Sequence, residues 1–185
     1  MRCLWVHINC NDWGVMMKIC VQSLDAYNQG QLIFEWLAPL DYSEEDFLKK
    51  VEEVTKGADE VMVADYDNAP NCGEYPNLRH YWQLLEQIQR EEIDLKLLLA
   101  YVEELYINEG ITTYENAIQE ISDLYYGTFD SIRDFGEQHA EEVDLISTVP
   151  QQWQSYINID DYADDLSQYY IFVDMPDGYA VFHRG

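Results

Sequence analysis

The stretch KICVQSLDAYNQGQLIFEWL, residues 18–37, decides the fold class. In its first part, Lys18 to Leu24, apolar Ile19 and Val21 alternate with polar neighbours at the period of a half-buried strand. In its second part, Gln31 to Leu37, aromatic and branched residues dominate, and the intervening DAYNQG carries Asn28 and Gly30, which tolerate turn geometry. The pattern predicts a β-hairpin. Working outward, Ser43 followed three residues later by Asp46 predicts a helix start, Phe47, Leu48, Val51 and Val54 continue it, and Lys56-Gly57 supplies a stop. Glu60 to Tyr66, EVMVADY, reads as a third strand, so a ββαβ unit is expected, closed by the turn-rich DNAPNCGEYP of residues 67–76.

From residue 77 the alternation gives way to helical spacing. Leu78, Tyr81, Trp82, Leu85 and Ile88 space one helix, and Ile93, Leu97, Leu98, Val102 and Leu105 a second. Thr112 with Glu115 reads as a capping box opening a third, which carries Ala117, Ile118 and Ile121. These stripes are read as core, with no cofactor box among them. Beyond Gly127 a helix is expected from Asp130 or Ser131, with Ile132 and Phe135 inward, and Pro150 interrupts the helical pattern. A further helix is expected over Ile159 to Ser167, then strands Tyr169 to Met175 and Tyr179 to Phe182 joined by Pro176-Asp177-Gly178. The expected fold is α+β in three small units: a ββαβ unit at 17–75, a helical bundle at 76–122 and an α+β unit with a C-terminal hairpin at 123–185, after an extension of residues 1–16.

Charge limits the partners. Thirty-six Asp and Glu against ten Lys and Arg give the chain a formal net charge of -26. It repels nucleic acid and anionic membranes, so a large partner surface must be basic. Duplex DNA carries one charge per roughly 1.7 Å of axis, so this charge equals that of about 13 base pairs, or about 44 Å. Disorder is excluded by composition, since 48% of the residues are hydrophobic and 14% aromatic. Cys3, Cys10, Cys20 and Cys72 form no CxxC pair, and neither a secretory segment nor an apolar run near 18 residues is present. A soluble cytoplasmic protein with reduced thiols is expected.

Catalytic and metal chemistry find little support. Cys3, His7 and Cys10 lack a fourth ligand with zinc spacing. The run from Asp65 resembles a calcium loop but has Pro70 and Pro76 where glycine and glutamate are required. His7, His80, His139 and His183 sit in neither GxSxG nor HExxH, and glycine-rich phosphate loops are missing. No catalytic residue, metal or cofactor is assigned. The acidic residues instead suggest a partner-binding surface: Glu44, Glu45, Glu52 and Glu53 on the first long helix, Asp130, Asp134, Glu137, Glu141 and Glu142 on a later one, and Asp160, Asp161, Asp164 and Asp165 on the last. In the last group two like-charge pairs face each other at i and i+4, each costing a few tenths of a kcal/mol. From Glu120 onward fourteen carboxylates meet only Arg133 and Arg184, a net of about -12. Tyrosines lie beside the acidic stretches, and Tyr125, Tyr126 and Phe129 are the expected exposed apolar contacts of a homodimer interface.

Three segments together carry a family resemblance: ICVQSLDAYNQGQLIFEW (Ile19 to Trp36), VADYDNAP (Val63 to Pro70) and VPQQWQSYINIDDYADDLSQYYIFVDMPDGYAVF (Val149 to Phe182). The YNxGxL element is Tyr27, Asn28, Gly30 and Leu32; YIxxxxYAxDL is Tyr156, Ile157, Tyr162, Ala163, Asp165 and Leu166. In these the chain resembles the ArdA antirestriction proteins from about Met17 to its end, with residues 1–16 outside the pattern. The resemblance implies an elongated, curved DNA mimic of three small domains, paired through its C-terminal region. It also implies occupation of the DNA groove formed by the specificity and methyltransferase subunits of a type I restriction-modification enzyme. Asp144 to Ile159 aligns with the family's antirestriction motif. The competing expectation is an acidic adaptor that grips one basic domain without imitating DNA.

Overall fold

The computed structural model describes residues 16–58, 60–108 and 110–185. The candidate metal trio Cys3, His7 and Cys10 lies outside the described residues.

The N-terminal hairpin forms with one correction. Strand β1 (Lys18–Ser23) is followed by a short helix α1 (Leu24–Asn28) where the sequence predicts a plain turn, and β2 (Phe34–Leu37) starts three residues later than predicted. Ser23 causes this: its hydroxyl accepts from the Ala26 amide at 3.2 Å and so nucleates the helical turn. Gly30, at φ 76°, then reverses the chain. Helix α2 (Glu44–Thr55) begins on the Ser43 cap and ends on Lys56 and Gly57, both left-handed, and β3 (Val61–Asp67) completes an antiparallel sheet in the order β2-β1-β3. Ile19, Val21, Leu37 and Val63 point to one side, where α2 covers them with Phe47 and Val51.

Three helices come next, α3 (Leu78–Arg90), α4 (Leu95–Leu105) and α5 (Ile111–Leu124). The apolar stripes read from sequence are their buried faces, with Tyr81, Leu85, Leu98, Tyr101 and Tyr114 at the centre. The capping box is a second correction. α5 starts before Thr112 with Gly110 at its N-cap and no side-chain cap, and Glu115 instead faces His80 of α3 at 3.5 Å.

The C-terminal part contains a strand that sequence did not suggest. Tyr125–Phe129 is β4, paired with β6 (Gly178–His183), which also pairs with β5 (Tyr170–Met175) in the order β4-β6-β5. The last hairpin turns at Gly178, whose φ of 137° and position, with a Cβ falling 2.2 Å from the Phe129 carbonyl oxygen, admit only glycine. Helices α6 (Ile132–Glu142), α7 (Gln151–Gln154) and α8 (Ile159–Leu166) fill the connection. Alternation along the strands divides the sheet: Val173, Ala180 and Phe182 join the core shared with the central helices, while Tyr170, Val181 and Phe135 form a second core beneath α6. α6 and α8 pack so closely that a Cβ on Gly136 would lie 2.6 Å from that of Ala163.

The layers touch in series. α2 bridges the first sheet to α3, α3 packs on α5, α4 and α5 pack on the second sheet, and α6 carries α8. The first core runs without a break from β1 to Phe182.

Candidate functional site

The acidic residues named from sequence fall into two groups, on α2 at one end of this series and on α6 and α8 at the other. On α2, Glu45, Glu52 and Glu53 are exposed. Glu44 is tied down: it pairs with Arg79 and accepts from the Gln83 amide at 2.9 Å, fastening α2 to α3.

The second group is more closely organised. Asp130 stands exposed before α6, and Asp134 accepts from the Ser131 hydroxyl at 2.7 Å within the N-terminal cap. Arg133 joins the two acidic helices, reaching Glu137 on α6 at 2.9 Å and both oxygens of Asp160 on α8 at 2.7 and 2.8 Å. Glu141, Asp161, Asp164 and Asp165 are exposed and lie in no ion pair among the described residues. Glu142 accepts from the Tyr126 hydroxyl and from Gln138 at 2.9 Å, and those hydrogen bonds hold its carboxyl below the usual glutamate range.

Aromatic packing sets the positions of these helices. Tyr126 stacks on Phe129 at 6.0 Å between centroids and meets Phe135, Tyr170 and His183 edge-on at 5.4 to 5.6 Å. His139 of α6 contacts the Tyr162 hydroxyl of α8 through Nδ1 at 2.7 Å and the Tyr170 hydroxyl of β5 through Nε2 at 3.1 Å. Burial lowers its pKa, against the pull of Glu142. Tyr125, Tyr126 and Phe129, expected as exposed dimer contacts, are half-buried in the protein's own sheet, with Tyr125 against Phe182 at 5.5 Å. The exposed apolar groups of this region are Val143, Ile146, Trp153, Tyr156 and Tyr169.

Sequence reading missed the carboxylates of the middle helices. Glu103 and Glu104 on α4, and Glu91, Glu92 and Asp94 before it, are exposed between the two groups. Their positions off the apolar stripe of Leu98 and Val102 were the available signal. No cluster of three His, Cys, Asp or Glu suited to a metal occurs among the described residues, and no helix there is long and apolar enough to cross a membrane.

Fold and surface together define an acidic α+β protein that spreads its carboxylates over successive helices instead of gathering them round one centre. The family model for the antirestriction protein ArdA matches residues 19–181, from within β1 to within β6. The chain belongs to the ArdA antirestriction protein family. No curated protein sequence matches it significantly.

Proposed function

We propose that this protein blocks restriction by acting as an acidic substitute for duplex DNA in the basic groove of a type I restriction-modification enzyme, built by its specificity and methyltransferase subunits. The observation that carries the reading is the run of exposed carboxylates on α2, α4, α6 and α8 along a serial stack of layers, in a chain of net charge -26. An adaptor for one basic domain needs a single acidic patch; a substitute for DNA needs charge along its length. The units 17–75, 76–122 and 123–185 serve here as successive segments of one charged body.

A homodimer doubles that length and gives the mimic the two-fold symmetry of a bipartite DNA site. With Tyr125, Tyr126 and Phe129 engaged in internal packing, we place the pairing contact on Trp153 and Tyr156, which are 55% and 77% exposed and lie in the segment aligned with the antirestriction motif.

The test is competition for a purified type I methyltransferase core. Excess unmodified duplex should displace the protein, binding should weaken as salt rises, and neutralising four carboxylates at once should cost far more than any one change. Failure of duplex to compete would leave the adaptor reading in its place.

A further inference from the structure

The outer face of the first sheet, away from α2, carries apolar side chains that a purely electrostatic surface does not require. Register sets Trp36, Cys20 and Asp65 in one row across that face and Phe34, Gln22 and Met62 in the next. The Tyr75 hydroxyl contacts Met62 Sδ at 3.8 Å, which extends the second row by another ring. Trp36, Phe34 and Tyr75 are 41, 53 and 60% exposed, whereas Cys20 and Gln22 between the strands are buried. Single exposed aromatics are ordinary, but three set round one small sheet face form the kind of patch that marks an interface.

The surrounding charge selects the occupant. Asp65 shares the row of Trp36 and Glu74 adjoins Tyr75, while at the edge Asp67 stands opposite Lys18, so the face is apolar within a rim of net negative charge. A second copy would bring the same acids against this rim. A protein surface with an apolar hollow ringed by Lys or Arg matches both the rings and the charge. We propose that this sheet face is the apolar anchor of the complex, binding such a hollow on the basic protein partner; the inference rests on the functional reading above. Carboxylates on the helices draw the partner in and are screened by salt, while Trp36, Phe34 and Tyr75 supply the part of the affinity that survives it.

The experiment titrates the full chain, as wild type and as the double variant Phe34→Thr with Trp36→Thr, against the methyltransferase core at low and high salt. The expected result is a Kd raised about 30-fold or more at both salts, as for loss of interface aromatics, with sedimentation and thermal melting unchanged. Equal affinity of variant and wild type overturns the proposal. So does a variant that falls from dimer to monomer, which assigns the face to a second copy, or one that melts far lower, which assigns it to this chain's own packing. Tyr75→Ser, outside the strands, provides a second reading and should weaken binding about tenfold. If wild-type protein is not displaced by duplex, the functional reading has failed, whereas displacement with an unaffected variant fails the anchor alone.

Discussion

The two three-stranded sheets share the same plan and use it to different ends. The first covers one face with α2 and leaves Phe34 and Trp36 open on the other; the second buries both faces, under α4 and α5 on one side and α6 on the other. Their acidic helices differ accordingly. On α2, Glu45, Glu52 and Glu53 project from a helix held by its apolar stripe, whereas on α6 and α8 Glu137, Glu142 and Asp160 are held by Arg133 and Tyr126, and His139 ties α6 to α8 through Tyr162. A charged surface can therefore be presented loosely or rigidly on similar scaffolds, and rigidity here comes from aromatic packing under the charge.

The widest gap between the sheets should appear in stability. Phe135 is fully buried and touches Phe129, Tyr170 and Phe172 at 4.9 to 5.5 Å between ring centroids, so Phe135→Ala should cost about 3–5 kcal/mol. Trp36→Thr, on the open face, should cost less than about 1 kcal/mol. Tyr126→Asp belongs with the first, since it would set a carboxylate against Glu142 among four rings. Urea unfolding of the three variants measures this, and equal losses for Phe135 and Trp36 would break the contrast.

Protonation of His139 should separate the sheets next, in its pH dependence. Burial lowers the pKa of the folded histidine from about 6.5, the value kept by the unfolded chain. The unfolded chain therefore binds more protons as pH drops below neutrality, and this group's contribution to stability declines from about pH 7 until the folded pKa is passed. Around the ring stand Tyr162 from α8, Tyr170 from β5, Glu142 from its own helix and His183 from β6. His139→Gln, whose amide both donates and accepts, should flatten that segment of the stability profile while keeping α6 and α8 docked. Parallel profiles for variant and wild type would remove His139 from the account.

Much of the first sheet was legible because its signals are local. The Ser43 cap, the Phe47-Val51 stripe and the Lys56-Gly57 stop act within a few residues, and the structure uses all of them. β4 was illegible because YYGTF has no alternation and its partner, β6, lies some fifty residues later. The Thr112 box failed for a related reason, since Glu115 is placed beside His80 on another helix. Likewise the acidic surface could be counted but not sorted. Glu44, Glu142 and Asp160 are fixed by Arg79, Tyr126 and Arg133, separated from them by 35, 16 and 27 residues. Nothing local distinguishes such a carboxylate from a free one.

The smallest expected effect separates stability from function within a single helix. Asp160 occupies the first turn of α8, where the helix dipole favours an anion, and is held by Arg133. Asp160→Asn should therefore cost up to about 1 kcal/mol. Asp164 and Asp165 stand toward the other end of α8, where the dipole opposes negative charge, and each lies one turn beyond another aspartate. Replacing both with Asn should stabilise the protein by a few tenths of a kcal/mol, an increment that high salt should erase. The same double variant should bind the methyltransferase core more weakly at low salt. Opposite signs for stability and binding would mean that α8 keeps charges its own fold disfavours, as a surface made for a basic partner does. If the double variant gained stability and lost no affinity, α8 would drop out of the contact surface, and α6 with the open face of the first sheet would have to carry it.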